Sequence, residues 1–156
     1  MIRQRLGKDL LFFDGGMGTL LQEKGLAPGE LPETWNLTHS EEIYKIHRQY
    51  IEAGSDIILT NTFGANALKF HDDSCSLEEI IKAAVSHVKK AEREALLQTG
   101  DERKIYTALD VGPTGKLLKP MGDLEFETAY EAFKEVVILG EQAGADLIHI
   151  ETMSDT

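Results

Sequence analysis

The sequence contains a single cysteine, Cys75, among its 156 residues. An internal disulfide is therefore impossible, and a lone thiol is typical of a reducing, cytosolic compartment. No run of about 18 apolar residues exists, as a membrane-spanning helix would require. The charged N-terminus is also followed by no apolar stretch of the kind that marks a signal peptide. We therefore expect a cytoplasmic protein that does not enter membranes.

Positive charge is scarce as well. The sequence has 16 lysine and arginine residues against 27 aspartate and glutamate residues, and its net charge at pH 7 is −11. Nucleic acids and anionic membrane surfaces attract proteins through basic patches, so we expect neither as a partner. The acidic excess is typical of a solvated surface that keeps a protein soluble.

An internal repeat is the most informative feature that the sequence does contain. Residues 53–62 and 143–152 lie 90 positions apart and share one pattern: a helix end, a glycine, an aspartate, an apolar strand and a polar tip. Repeated βα units with polar strand tips are how a barrel builds its active-site mouth. The tips of the two units are Asn61 and Glu151.

Apolar runs predict four strands, and the first of them is expected to be buried on both faces. Helices with apolar residues at spacings of three and four are predicted between the strands, and each is expected to end at a glycine. Capping boxes are predicted where Thr38 precedes Glu41 and where Ser76 precedes Glu79. The predicted strands are residues 10–13, 56–61, 105–109 and 147–150, and the helix-ending glycines are Gly54, Gly100 and Gly144.

The predicted order β-α-β-α-β-α-β implies an α/β fold with parallel strands and right-handed crossovers. A complete (βα)8 TIM barrel needs about 250 residues. The sequence ends at residues 154–156, where a fourth helix would be capped. We therefore predict that residues 1–156 form the N-terminal half of a (βα)8 barrel, truncated after strand four.

Polar residues stand at the C-terminal ends of all four predicted strands: Asp14, Asn61, Asp110 and Glu151. Alternate strands of a barrel contribute to one interior layer, so we expect Asn61 and Glu151 to share a layer with Asp14 nearby. Clustered carboxylates can bind an ammonium group or a metal, or act as acid and base. The alternative for Asp110 is that it caps the next turn. His149 should share the face of Glu151 and lie deeper.

Glycines follow the first strand at Gly15, Gly16 and Gly18. They do not complete a dinucleotide fingerprint, because the third glycine of that motif would fall at Leu21, and we expect no NAD site. Close approach of a substrate carboxylate to backbone N–H groups and a simple tight turn are both consistent with this segment. No strand tip carries a lysine, which argues against a Schiff-base aldolase.

Taken in order, five segments resemble the homocysteine S-methyltransferase family, and most closely the homocysteine-binding module of its cobalamin-dependent methionine synthases. They are residues 14–19, 32–37, 56–65, 112–115 and 151–152. The resemblance implies a barrel that binds homocysteine. It also implies a zinc ion that holds the substrate sulfur as a thiolate, which attacks an activated methyl group to give methionine. Cobalamin and methyltetrahydrofolate are implied through other domains.

The resemblance also implies roles for individual residues. Asp14 and Glu151 match carboxylates that hold the homocysteine amino group, and Gly15 and Gly16 match a turn whose backbone contacts the substrate. The strand-two tip, Asn61 with Thr62, matches the pocket lining. Family members bind zinc through three cysteines of the second half-barrel, and Cys75 matches none of them. The chain is therefore expected to carry the amino-acid clamp without metal ligands or catalytic residues of its own.

Two other functions are consistent with the same residues. A stand-alone half-barrel would act as a binding or assembly module, because its open sheet edges invite self-association. A different (βα)8 lyase or phosphate-binding barrel would place its phosphate loops after strands seven and eight, beyond these residues. The methyl donor is left open.

Overall fold

A parallel three-stranded sheet forms the centre of the molecule in the computed structural model, which describes residues 2–70, 75–100 and 103–154. The strands are β1 (Ile57–Leu59), β2 (Tyr106–Val111) and β3 (Leu147–Ile150), hydrogen-bonded in the order β1-β2-β3. A long helix connects each strand to the next, as parallel pairing requires. The α/β class with parallel strands is therefore confirmed.

Five α-helices and two short 3-10 turns occur in the described ranges. The helices are α1 (Met17–Glu23), α2 (Trp35–Thr38), α3 (Ser40–Ala53), α4 (Leu77–Thr99) and α5 (Phe126–Ala143), and the 3-10 turns are Ile2–Gln4 and Pro32–Thr34. Helix α1 follows the turn at Gly15 and Gly16 and is not among the predicted helices. The loop predicted before Trp35 contains the second 3-10 turn.

The predicted ends of the three long helices are confirmed. Gly54, Gly100 and Gly144 all have positive φ and sit at the C-caps of α3, α4 and α5. The capping box at the start of α4 is also confirmed, because Ser76 Oγ accepts a hydrogen bond from the Glu79 N–H and the Glu79 side chain accepts one from the Ser76 N–H.

The capping box predicted at Thr38 is wrong. Helix α3 begins at Ser40, and His39 occupies the N-cap without a side-chain hydrogen bond to the helix. The Thr38 hydroxyl instead donates to the carbonyl of Thr34, the residue that precedes α2. A threonine that bonds back to the preceding turn does not cap the next helix.

The predicted first strand, residues 10–13, is not a buried strand. Phe13 forms one isolated parallel bridge with Ile57, and the Phe12 carbonyl accepts the N–H groups of Asp56 and Ile57. Leu10 is 83% exposed and Phe12 59%. Leu11 packs against the cluster of Ile57, Tyr106 and Ala108, but Leu10 and Phe12 lack the cover that burial on two faces requires.

The core lies between the sheet and helices α3, α4 and α5. Every residue of β2 is buried, and Ile58 of β1 packs with Ile51 of α3 and Val88 of α4. Strand β3 is different, because its residues alternate between half-buried and exposed. None of the helices in the described ranges is long and apolar enough to span a membrane. The predicted helix start at residues 154–156 falls partly outside the described residues, and the half-barrel boundary stays a prediction.

Candidate functional site

A cleft of about 300 Å³ opens at the C-terminal ends of the strands. It brings together Asn61 and Glu151, the two tips of the sequence repeat, as that repeat predicts. Its lining is Met17, Gly18, Leu31, Pro32, Glu33, Asn61, Phe63, Gly64, Lys69 and Glu151. Because successive parallel strands end on the same edge, side chains distant in sequence meet here.

Asp14 lies beside this cleft, held by the end of β1. Its N–H donates to the carbonyl of Ile57, and its Oδ2 accepts the N–H of Leu59 at 3.1 Å. Its Oδ1 is buried without a hydrogen-bond partner. Burial raises the pKa of Asp14 to about 7, although the bond from Leu59 opposes the shift. A carboxyl in this state favours a partner that brings positive charge.

Gly15 and Gly16 form the turn between Asp14 and α1. A Cβ at Gly15 would lie 2.8 Å from the hydroxyl of Tyr50, so a side chain would collide there. Tyr50 in turn donates a hydrogen bond to the carbonyl of Gly16 at 3.1 Å. Gly15 therefore lets the backbone pack closely against Tyr50 of α3, next to Asp14 in the chain.

Asn61 is buried and holds the loop that closes one side of the cleft. Its Nδ2 donates to the carbonyl of Pro32, and its own carbonyl accepts a hydrogen bond from Asn36 Nδ2, both at 2.8 Å. Thr62 is also buried, but its hydroxyl donates to the carbonyl of Asp110 at 2.7 Å and it does not line the cleft. A substrate contact by either residue stays a prediction.

Asp110 is fixed by a closed set of hydrogen bonds to the end of β1. Its N–H donates to Thr60 Oγ1, the hydroxyls of Thr60 and Thr62 bond to each other at 2.7 Å, and Thr62 donates to the Asp110 carbonyl. The side chain is buried, and Oδ1 has no hydrogen-bond partner. Burial raises the pKa of Asp110 to about 7, and the charges of Glu151, Asp14 and Glu33 add to the shift.

His149 of β3 and Glu151, directly after β3, lie on the same face, as their spacing predicts. His149 Nε2 lies 3.7 Å from Glu151 Oε2. The His149 ring also packs against Phe13 with a centroid distance of 5.1 Å. Thr152, directly after Glu151, has a φ of 58°, a conformation that is uncommon outside glycine.

Glu33 is a cleft residue that the sequence analysis did not select. It is 3% exposed, its Oε1 accepts the N–H of Gly64, and its Oε2 is buried without a hydrogen-bond partner. The only sequence signal was its place in the proline-containing segment 32–37. Its burial depends on a loop that folds back onto the strand tips, which local pattern does not reveal.

A zinc site of three thiolates does not fit this chain. Its only cysteine, Cys75, packs against the apolar cluster that contains Leu77, Leu109 and Val136, on the helix side of the sheet. Within the described ranges, the side chains that could hold a metal together are instead Asp110, His149 and Glu151. These are oxygen and nitrogen donors.

Comparison with known families gives a match along most of the chain. The profile of the family described as Homocysteine S-methyltransferase matches residues 11–156. Methionine synthase from Mycobacterium leprae is 30% identical over 158 residues, which cover 97% of this chain and 13% of that protein. The chain therefore spans a small part of this relative.

Solved structures with similar folds include two forms of the homocysteine methyltransferase MmuM from Escherichia coli. The metallated form superposes with a TM-score of 0.84 at 22% identity, covering 99% of this chain and 58% of that one. The oxidized form gives a TM-score of 0.83 at 23% identity, covering 99% and 57%. At these identities the likeness establishes the fold.

Proposed function

This chain belongs to the homocysteine S-methyltransferase family, and we propose that its strand-tip cleft binds homocysteine through the substrate amino group. The observation that carries the proposal is the proximity of three carboxyls at the strand ends: Glu151 lines the cleft, and the charges of Glu151 and Asp14 both act on the pKa of Asp110. Two of these carboxyls each have a buried oxygen without a hydrogen-bond partner. An ammonium group offers three donors and one positive charge, which is the complement that such oxygens lack.

The electrostatics of the mouth support a cationic ligand. Among the described residues, no lysine or arginine forms an ion pair with any of these three carboxyls. Bringing an ammonium group close would lower the raised pKa values of Asp14 and Asp110 and favour their ionised forms. Asp14 and Glu151 are the proposed direct contacts, and Asp110 adds charge from beneath.

The other proposed contacts orient the remainder of the substrate. The turn at Gly15 and Gly16 brings backbone, rather than side chains, close to the ammonium position, where N–H groups can meet the substrate carboxylate. Asn61 and Thr62 are proposed to shape the wall, and Glu33 extends it. The thiol end of homocysteine would then point away from the carboxyls and out of the mouth.

The proposed reaction transfers a methyl group to the homocysteine sulfur. The new S–CH3 bond forms as the bond between methyl and donor breaks, and the thiol loses its proton, giving methionine. The three-thiolate zinc site that the resemblance implies does not fit a chain with one cysteine, so the proposed role of these residues in the reaction is to bind and orient homocysteine. Zinc ligands, cobalamin, methyltetrahydrofolate and inactivity of the chain alone stay predictions from the resemblance. The cytoplasmic location stays a prediction from the lone cysteine and the N-terminal sequence.

Self-association is a second proposal, and an exposed apolar surface favours it. Ile148 and Ile150 of the edge strand are 41% and 66% exposed. An apolar groove of about 530 Å³ lies nearby along α5, with Phe126 and Tyr130 in its wall. Apolar surface beside an unpaired strand edge favours association. Sedimentation at micromolar concentration would reveal a dimer, whereas a compact monomer would contradict this proposal.

The clamp is tested by homocysteine binding to Glu151→Ala, measured by calorimetry. Removing one charge-assisted contact of about 1.5–3 kcal/mol should weaken binding roughly tenfold to a hundredfold. Glu141→Ala, at an exposed position of α5, is the matched control and should bind like the unmodified chain.

The same titration with 4-sulfanylbutanoate, which is homocysteine without its amino group, separates a clamp from a general loss of structure. The analogue should bind weakly, and Glu151→Ala should weaken it no further, because the pair of changes removes one interaction. Equal affinity of homocysteine for the unmodified chain and for Glu151→Ala would remove Glu151 from the clamp.

A further inference from the structure

One nitrogen and two oxygen donors converge at the edge of the sheet. Asp110 and His149 are direct neighbours in the register of β2 and β3, and Glu151 lies two residues after His149, so the three share a face. Their donor atoms lie within 4.8 Å of one another. We propose that Asp110, His149 and Glu151 bind one divalent transition-metal ion, Zn²⁺ or Mn²⁺, without a thiolate ligand.

The state of Asp110 points to a missing partner. The side chain is 6% exposed and its Oδ1 has no hydrogen-bond partner. A buried carboxyl oxygen without a partner is costly and rare in folded proteins. The hydrogen bonds to Thr60 and Thr62 fix the backbone on both sides of the Asp110 side chain. The backbone that carries the carboxyl is therefore fixed, and a cation beside the carboxyl would supply the absent partner.

His149 distinguishes this cluster from a simple group of acidic residues. Its Nε2 faces Glu151 Oε2 at 3.7 Å, and imidazole is a favoured ligand of zinc and other transition metals. Carboxylates bind Mn²⁺ and Zn²⁺ as well, whereas Mg²⁺ prefers a shell made entirely of oxygen. One imidazole and two carboxylates therefore favour a transition metal with further positions open to water.

Small side-chain movements suffice to close the site. Ligand distances of about 2.0–2.2 Å would require the three donors to approach one another. The side chains of His149 and Glu151 are 30% and 38% exposed, so they have room to rotate toward Asp110. The buried carboxyl of Asp110 and the two partly exposed side chains together form the proposed site.

Glu151 belongs both to this site and to the proposed homocysteine clamp. A metal ion and a substrate ammonium group are both cations, so they should exclude one another at this carboxylate. That exclusion rests on the proposed function. Metal binding itself does not, and measuring it in the absence of any amino acid keeps the two proposals separately testable.

Calorimetric titration with ZnCl₂ or MnCl₂ tests the site. We expect one Zn²⁺ or Mn²⁺ per chain, with affinity reduced about tenfold or more in His149→Gln and Glu151→Gln. Both residues are partly exposed, so these variants should fold, and circular dichroism checks that they do. The controls His39→Gln, at an exposed position, and Cys75→Ser should bind as the unmodified chain does.

The absorption spectrum of the Co²⁺-loaded chain gives a second readout. Oxygen and nitrogen ligands give no intense thiolate-to-cobalt bands, and we expect none. The proposal is overturned by such bands, by loss of binding in Cys75→Ser or by unchanged affinity in His149→Gln. Failure of both Zn²⁺ and Mn²⁺ to bind at one ion per chain would overturn it as well.

Discussion

The two repeat units share their backbone geometry but differ in burial. In the first unit Gly54 ends α3 with φ 111°, and in the second Gly144 ends α5 with φ 95°. An aspartate follows each glycine by two residues and accepts a backbone N–H through Oδ2. Asp56 accepts the N–H of Phe12 at 3.1 Å, and Asp146 accepts the N–H of Thr107 at 2.9 Å. The same local sequence therefore produces the same helix stop and the same anchor.

Burial separates the two units. Ile58 in the first unit is 0% exposed, whereas its equivalent in the second, Ile148, is 41% exposed. Both β1 and β3 are outer strands of the sheet, on either side of β2. Helices α3 and α4 pack over Ile58 of β1, and Phe13 bridges to Ile57 at the free edge of β1, whereas Ile148 of β3 has no comparable cover among the described residues. The comparison teaches that a repeat encodes backbone form, while neighbouring elements decide how much of each unit is covered.

The largest expected difference between the units concerns these two isoleucines. Ile58→Ala should lower the free energy of unfolding by about 2–5 kcal/mol, because it removes buried methyl groups and leaves a cavity. Ile148→Ala should cost less than about 1 kcal/mol, because its side chain is already partly in water. Urea unfolding of both variants measures the two costs.

Ile58→Val keeps most of the volume and serves as the control, with an expected cost of about 0.5–1.5 kcal/mol. Similar losses of unfolding free energy in Ile58→Ala and Ile148→Ala would contradict the difference in burial between the two units. They would mean that Ile148 is covered in solution, for example by a second copy of the chain.

The features predicted correctly from sequence are those that nearby residues determine. Ser76 with Glu79 caps α4, and Gly144 ends α5, because each acts within one turn of its own helix. The prediction at residues 10–13 failed for the opposite reason. An apolar run indicates that a segment would be stabilised by burial. Whether it is buried depends on whether other elements of the chain pack over it.

The residues of the candidate site also fall into two groups, those that local sequence predicts and those whose place depends on distant contacts. The repeat placed Asn61 and Glu151 on equivalent strand tips, and parallel pairing brings such tips together. Glu33 escaped notice because its position depends on the fold-back of a loop onto Gly64, a contact across 31 residues. The bonding of the Thr62 hydroxyl to Asp110 likewise depends on β1 and β2 lying side by side, which residue type alone does not indicate.

Alanine at the two helix-ending glycines should destabilise the chain less than Ile58→Ala does, and by the same amount at both positions. Gly54→Ala and Gly144→Ala should each lower the free energy of unfolding by about 1–2 kcal/mol, because alanine is strained at positive φ. A Cβ at either position meets no atom within 4 Å, so backbone strain should be the whole cost. Thermal or urea unfolding measures both.

Asparagine tolerates left-handed backbone better than alanine, so Gly54→Asn and Gly144→Asn should recover part of the loss. A large difference in stability between Gly54→Ala and Gly144→Ala would contradict the inference that both units end their helices in the same backbone conformation.

The smallest expected effect is on the pH dependence of stability, and it comes from the negative charge of Glu151 at the tip of the second unit. The pKa of Asp110 is raised to about 7, first by burial and then by Glu151, whereas Asn61 adds no charge. The unfolded chain ionises its aspartates near pH 4, while folded Asp110 keeps its proton until about pH 7. Stability should therefore fall as the pH rises between these values, because the folded state binds more protons.

Glu151→Gln removes the second of these causes, so the pKa of Asp110 should drop and less stability should be lost between pH 5 and pH 8. The slope should shrink rather than vanish, because burial still acts on Asp110 and the pKa of Asp14 is also raised to about 7. Urea unfolding at the two pH values, with an NMR titration of the Asp110 carboxyl, measures the change. Glu141→Gln on α5 is the matched control and should leave the pH dependence unaltered. If Glu151→Gln and the unmodified chain lose the same stability between pH 5 and pH 8, the charge of Glu151 does not influence the pKa of Asp110. Asn61 and Glu151 would then differ in side-chain shape and not in their electrostatic effect on Asp110.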